Sequence, residues 1–249
     1  FQWGALDFAG GTVVHINAGM AALAAALVLG RRVGNLSPPH NLPLAVLGAG
    51  MLWFGWFGFN AGSSLAADGI AVNAFVTTHV ATAAAGLTWA IADWLYHKRP
   101  TTLGMITGAV AGLVAITPAC GFVSPMNAIW VGVGASAFCF LFVTFIKAKF
   151  RYDDTLDAFG VHGIGGIWGA LATGLFCSSR INPLVTHGAS DQFIIQLKAT
   201  LVTMVYSFVA SFILLKIVDR IVGLRVSEHE ERVGLDLTQH REVGYTLID

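Results

Sequence analysis

Long stretches without a charged residue are the feature that most constrains this chain. A helix needs about 20 mostly apolar residues to cross a hydrocarbon core of roughly 30 Å. Only 11% of the residues are charged, whereas soluble domains carry about 25%. The sequence therefore predicts an integral membrane protein. Its uncharged runs cover residues 8–30, 33–67, 69–92, 100–146, 158–179 and 199–215.

The runs predict an all-α, polytopic transmembrane bundle of seven helices. The run 100–146 is too long for one crossing, and Thr-Pro-Ala-Cys-Gly at 117–121 indicates a turn inside it. The polar alternation typical of a transmembrane barrel is weak, which disfavours that fold. The helices are expected near 7–29, 41–60, 70–95, 102–117, 126–147, 157–178 and 191–222.

Positive charge in the connections predicts the orientation. Lys and Arg gather after the first, third and fifth helices, and only Arg180 follows the others. Because cytoplasmic loops retain positive charge, residue 1 is expected outside and the C-terminus inside. The domains are then a membrane part, 1–222, and a charged cytoplasmic tail, 223–249. A formal net charge of zero gives no basis for a nucleic-acid partner.

Ionisable residues inside the runs are the candidate functional groups, because such residues are costly in a membrane. Asp7 and Asp157 start the first and sixth helices, and each is followed by glycines and then a histidine, His15 or His162. The two helices run in opposite directions. At about 1.5 Å per residue both imidazoles reach the middle of the bilayer. We expect them to converge there, although helix capping alone would explain the aspartates.

Other polar and aromatic residues have less specific patterns. His79 has no acidic or glycine-rich neighbourhood, which favours a neutral imidazole hydrogen-bonded to a neighbouring helix. The aromatic cluster at 53–63 fits an interfacial belt or a vestibule whose aromatic faces attract cations. The cysteines lack metal-ligand spacing, so small buried apolar roles are expected for them: Cys120, Cys139 and Cys177.

The first residue is Phe1, and no basic leader precedes the first helix. We therefore expect these residues to be the later part of a longer polypeptide, with earlier helices preceding them.

Together these motifs resemble the ammonium transporter (Amt/MEP/Rh) family, on its bacterial Amt side. The similarity rests on Asp-Phe-Ala-Gly-Gly-Thr-Val-Val-His at 7–15 and Phe-Gly-Val-His-Gly at 159–163. Further blocks match in order, and the tail segments Gly-Leu-Arg-Val and Gly-Leu-Asp match as well. These further blocks and tail segments lie at 39–43, 55–63, 117–121, 223–226 and 234–236.

The resemblance implies a fold and a function. The family fold has eleven helices in inverted repeats and assembles as a homotrimer, and this chain would supply helices five to eleven. The implied function is transmembrane transport of ammonium or ammonia in the cell (inner or plasma) membrane, with no enzymatic activity, no cofactor and no metal. An ammonium sensor with little transport and a Rh-type ammonia or carbon dioxide channel are the alternatives.

The resemblance also implies roles for individual residues. His15 and His162 would line the pore as a proton relay, and Phe59 and Trp56 would supply its outer gate and aromatic wall. Ammonium would be recruited at an outer site, Ser63 and Asp7, with Asp157 as the inner acidic counterpart. A PII-type nitrogen-signalling protein is the expected cytoplasmic partner. The regulatory residues expected in the tail are Arg225, Asp236 and Glu242.

Overall fold

The computed structural model describes residues 3–34 and 40–244. Six helices in this part are long and apolar enough to cross a membrane, and a seventh is apolar but shorter. The prediction of a multi-pass helical bundle is confirmed. The helices are α1 (Gly11–Leu29), α2 (Leu42–Gly62), α3 (Gly69–His97), α4 (Thr102–Ile116), α5 (Pro125–Phe150), α6 (Phe159–Phe176) and α7 (Ala189–Val222).

Capping side chains set the starts of four helices. Each accepts a hydrogen bond from the backbone N–H three residues further on, which satisfies one of the unpaired donors at a helix start. Proline in the first turn of α2 and α5 adds to the signal. The helices therefore begin close to the predicted positions. The caps of α2, α3, α4 and α5 are Asn41, Asp68, Thr101 and Ser124.

The core of α3, α4 and α5 is built on small residues. A Cβ on Gly132 would lie 2.2 Å from the carbonyl oxygen of Ala81, and one on Gly112 would lie 2.6 Å from the Cβ of Ala85. Such contacts require the backbones to touch, which is how transmembrane helices gain packing energy without a hydrophobic driving force.

Helices α1 and α6 cross in the same way. A Cβ on Gly19 would lie 2.2 Å from Cα of Gly163, and one on Gly166 would lie 3.2 Å from Cβ of His15. Only glycine at these positions lets the two helices come this close. The contact lies beside both pore-candidate histidines.

The predicted turn after α4 is confirmed and holds the segment before α1. The backbone N–H of Phe8 donates to the carbonyl of Pro118 at 3.1 Å. On the other side of the segment, the Gln196 side chain of α7 pairs with both the N–H and the carbonyl of Leu6, at 2.7 and 2.8 Å. These hydrogen bonds hold Asp7 between α4 and α7.

The tail packs on the opposite end of the bundle. The Arg225 guanidinium donates to the carbonyl of Leu29 at 3.0 Å and pairs with Glu231 at 3.1 Å. Glu231 also accepts from the backbone of Val33. A short helix absent from the sequence prediction, α8 (Glu228–Val233), begins at a Ser227–Glu230 capping box. Residues 245–249 of the predicted tail lie outside the described part.

Replacing Gly19 with Ala tests the α1–α6 contact. The added methyl group meets backbone, so we expect a loss of stability of about 1–3 kcal/mol, the usual cost of overpacking. The measurement is the thermal unfolding of the purified protein in detergent. Gly50→Ala is the control, because a Cβ there has no neighbour within 4 Å. Equal unfolding midpoints for the two variants would contradict the close packing.

Candidate functional site

Two imidazoles meet inside the bundle, as the sequence predicted. Nδ1 of His15 lies 3.2 Å from Nδ1 of His162, and the ring centroids are 5.3 Å apart. His15 is buried, with 3% of its surface exposed. The predicted convergence of these side chains is therefore confirmed.

The Nδ1–Nδ1 contact dictates complementary tautomers. A neutral imidazole has one donor and one acceptor nitrogen, and one proton is shared across this contact. One ring is therefore protonated at Nδ1, and its neutral partner carries its proton at Nε2. The Nε2 atom of His15 is buried and has no partner among the described residues. It is a polar atom available to a small hydrogen-bonding guest.

Both histidines are carried by π-helical turns that start their helices. His15 lies in the turn Gly11–Ile16 of α1, and His162 lies in the turn Phe159–Gly163 of α6. Such turns add a residue to the helix and re-aim its side chains, and they concentrate at functional sites. The two turns enter from opposite ends of the bundle, which is the arrangement expected of an inverted repeat.

A carboxylate anchors each π-helical turn, and one of the two anchors differs from the prediction. The Asp7 carboxylate accepts from the backbone N–H of Thr12 at 3.1 Å. At α6 the equivalent acceptor is Asp154, which binds the N–H groups of Ala158 at 2.9 Å and Phe159 at 2.8 Å. Asp154 precedes His162 by eight residues, which is also the distance in sequence from Asp7 to His15.

Asp157 is therefore not the geometric counterpart of Asp7, which corrects the sequence assignment. Its carboxylate instead pairs with Lys147 at the end of α5. The sequence reasoning missed Asp154 because Asp157 is separated from the Phe-Gly-Val-His motif by only one residue, Ala158. Matching the aspartate-to-histidine interval across the two motifs would have identified Asp154.

Two aromatic rings of α2 cover the outer side of His15. Trp56 stacks on the imidazole, with centroids 5.3 Å apart and 16° between planes, and Phe59 meets it edge-on at 6.4 Å. The indole N–H of Trp56 donates to the Thr117 hydroxyl at 2.9 Å, which fixes its orientation. The predicted aromatic residues thus lie against the histidine pair.

The two predicted recruitment residues occupy different positions at the outer end. Ser63 ends α2, and its hydroxyl donates to the carbonyl of Phe59 at 2.8 Å. Asp7 borders a cleft of about 600 Å³, which it shares with Trp3 and with Thr203 of α7. No hydrogen bond of the described residues joins Ser63 to Asp7.

An apolar cleft opens on the inner side of the pair. His162 borders a space of about 330 Å³, and the rest of its lining is almost entirely aliphatic. The histidine pair thus has aromatic rings on one side and this open apolar cleft on the other. The other wall residues of the cleft are Ala45, Gly48, Ala49, Leu52, Leu103, Ile106, Thr107, Val110, Leu156 and Val161.

The sequence of this chain is similar to those of known proteins. A family model described as Ammonium Transporter Family matches residues 1–245. The chain is 51% identical to the ammonium transporter of Bacillus subtilis over 98% of its own length and 62% of that protein.

The chain belongs to the ammonium transporter family.

Other members of the family are similarly close. Ammonium transporter Amt1 of Archaeoglobus fulgidus is 49% identical, with 98% of this chain and 63% of that protein covered. This chain therefore spans about three-fifths of the length of these relatives.

Solved structures of the family superpose well on this member. A structure titled Sensor Amt Protein matches with a TM-score of 0.89 and 33% identity, covering 96% of this chain and 61% of that one. Candida albicans Mep2 matches with a TM-score of 0.86 and 37% identity, covering 98% and 56% respectively.

The remaining candidates of this family member lie away from the histidine pair. The His79 ring is exposed in the described part and rests against Trp53, with centroids 5.3 Å apart, instead of forming the expected hydrogen bond. Cys120 and Cys139 are buried, and Cys177 is half-buried. No group of three or more metal-binding side chains occurs within 3–34 and 40–244.

The tail candidates differ in their contacts. Arg225 connects the tail to the end of α1, and Asp236 starts a final π-helical turn, Asp236–His240. Glu242 follows that turn and is exposed. Within the described residues, neither Asp236 nor Glu242 forms an ion pair.

The unequal roles of the two inner aspartates predict unequal costs of removal. Asp154→Ala deletes the anchor of α6 and is expected to cost about 0.5–2 kcal/mol, the usual loss for a helix cap. Asp157→Ala removes a partly exposed ion pair and is expected to cost about 0–1 kcal/mol. Thermal unfolding in one detergent measures both. A larger loss for Asp157→Ala would contradict the assignment of Asp154 as the anchor.

Proposed function

We propose that this protein transports ammonium across the cell membrane by passing ammonia between the two histidines. The observation that carries the proposal is the His15–His162 pair, joined at 3.2 Å and lined by aromatic and aliphatic side chains. Family membership and relatives named as ammonium transporters support it.

Recruitment takes place at the outer end of α2. Ser63 offers a hydroxyl oxygen there, and the faces of Trp56 and Phe59 attract a cation. Asp7 contributes a negative field while its carboxylate stays bound to the start of α1. Phe59 lies edge-on to His15, which suits a gate between the outer end and the pore.

Deprotonation follows from the cost of burying charge. An ammonium ion gives up far more solvation in an apolar path than neutral ammonia does, and such surroundings favour proton loss from a cation. The ammonia then meets the unpartnered Nε2 of His15, which takes the place of a water molecule as its hydrogen-bond partner. The proton leaves along the shared Nδ1 contact, so charge moves with each transported molecule.

The assembly and location are also proposals. We propose a homotrimer in the inner or plasma membrane, with the C-terminus in the cytoplasm and a PII-type signalling protein as partner. The packing of the tail against the ends of α1 and α7 supports a cytoplasmic regulatory face. Arg225 holds this arrangement, while Asp236 and Glu242 remain available to another molecule.

Ammonium sensing is the second candidate function. It is favoured by the fold similarity to the structure titled Sensor Amt Protein, at a TM-score of 0.89. A sensor requires the recruitment residues but only slow passage past the histidines. A measured flux therefore separates the two functions.

Removing either imidazole tests transport. His15→Ala and His162→Ala are expected to lower the ammonium-driven current of reconstituted liposomes about tenfold or more, because general acid–base groups contribute effects of this size. His79→Ala is the matched control, since it removes an imidazole that does not contact the pair. Its current should equal that of the unchanged protein.

The reference currents of the unchanged protein decide between the candidates. A robust current that falls in both pore variants supports transport. Normal current and ion selectivity in His15→Ala and His162→Ala would refute the relay. High-affinity ammonium binding without measurable flux in the unchanged protein would establish sensing instead.

Deleting 224–249 tests the regulatory role of the tail. We expect the truncated protein to lose binding of a PII-type partner and to change its ammonium flux, because the inner ends of α1 and α7 lose their cover. Surface-bound partner protein and liposome flux measure the two effects. Full activity with unchanged partner binding would identify the tail as a solvated extension.

A further inference from the structure

A cationic cleft separate from the pore lies at the inner face. It encloses about 300 Å³ between the end of α1 and the segment that joins α5 to α6. The walls bring together charges from both segments, including four cations and one carboxylate. These side chains are Arg31, Arg32, Lys147, Arg151 and Asp153.

Two of these cations are neutralised within the cleft wall. Arg32 holds Asp153 through two hydrogen bonds, at 2.6 and 2.7 Å. Its guanidinium lowers the pKa of Asp153 to about 2, so this carboxylate stays charged and committed to Arg32. Lys147 pairs with Asp157 and also donates to the carbonyl of Asp154 at 3.0 Å.

The other two cations form no ion pair among the described residues. Arg31 and Arg151 are exposed, and neither side chain forms an ion pair with a residue of the described ranges. The nearby carboxylate of Asp154 is turned toward the start of α6. The sequence 35–39 contains no acidic residue. Among the described residues, the cleft therefore presents two guanidinium groups, Arg31 and Arg151, that form no ion pair.

We propose that this cleft binds a phosphate monoester dianion between Arg31 and Arg151. Guanidinium groups present paired N–H donors that match phosphate oxygens, and two of them balance the charge of a dianion. The Arg32–Asp153 pair forms the floor and holds the two segments together. Neither histidine of the pair lines this cleft, so the site is separate from the candidate pore.

The position of the cleft indicates two sources for the anion. Arg31 follows the membrane span that ends at Leu29, and Arg151 follows the one that ends at Phe150. Both guanidinium groups therefore lie near the level of lipid headgroups, where acidic phospholipids interact with Lys and Arg. A phosphatidic acid headgroup and free phosphate offer the same chemistry.

The test compares two pairs of cations on the same face. Arg31→Gln/Arg151→Gln removes the unpaired charges, and Lys98→Gln/Arg99→Gln is the control for general positive charge after α3. Native mass spectrometry of the purified protein measures binding of phosphatidic acid against phosphatidylcholine. Thermal unfolding in sodium phosphate against sodium chloride at equal ionic strength measures binding of inorganic phosphate.

We expect the Arg31/Arg151 variant to bind its ligand about tenfold or more weakly, as fits the removal of two charge-assisted hydrogen-bonding groups, while the control changes less than twofold. Binding of phosphatidic acid alone identifies a lipid site, and stabilisation by phosphate identifies a free-anion site. The proposal is overturned if the unchanged protein binds phosphatidic acid no better than phosphatidylcholine and is stabilised no more by phosphate than by chloride. It is also overturned if the Arg31/Arg151 variant and the control lose equal affinity. The comparison of the ligands on the unchanged protein remains a valid test even if a variant fails to fold.

Discussion

The contact between α1 and α6 is the constraint on which the rest of the structure depends. Gly19 and Gly163 let the two backbones touch, and this brings His15 and His162 within 3.2 Å of each other. A Cβ at Gly19 would clash with the backbone of Gly163, so a larger residue would force the two helices to shift. The glycine content of the chain thus serves the site directly, in addition to the bundle.

The two ends of this contact are supported by the same device. Each histidine lies in a π-helical turn whose first N–H groups donate to an aspartate. That aspartate is Asp7 for the turn of His15 and Asp154 for the turn of His162. A buried carboxylate and the positive end of a helix stabilise each other. Each carboxylate thereby satisfies backbone N–H groups at the start of its helix.

Much of the fold could be predicted from the sequence because membrane insertion constrains it strongly. Uncharged runs indicated seven helices, and the opposite directions of α1 and α6 predicted that His15 and His162 meet. The first boundary was the least accurate: the helix predicted from residue 7 begins at Gly11. The described residues before Gly11 form no helix and are held by hydrogen bonds to Pro118 and Gln196, which lie far away in the sequence.

Details of the site could not be predicted because they depend on contacts between residues that are distant in the sequence. Asp157 stands beside the histidine motif and was assigned as the inner acid, yet Lys147 binds it and Asp154 takes the helix start. The π-helical turns were not predicted either, because adding one residue to a helix does not produce a recognisable hydrophobic pattern in the sequence. Trp56 contacts His15 and Trp53 contacts His79. This division of the aromatic cluster depends on how α2 is oriented about its own axis, which the sequence does not give.

The symmetry of the Nδ1–Nδ1 contact has a consequence for the timing of proton movement. A proton that enters at one outer nitrogen and exits at the opposite one leaves both rings in swapped tautomers. The hydrogen bond between the two rings then has the opposite direction, and a second proton cannot follow until the rings rotate or exchange their hydrogens. Trp56 stacks flat on one ring and hinders that rotation. In the proposed relay, each proton transfer would therefore have to be followed by a return of both rings to their starting tautomers.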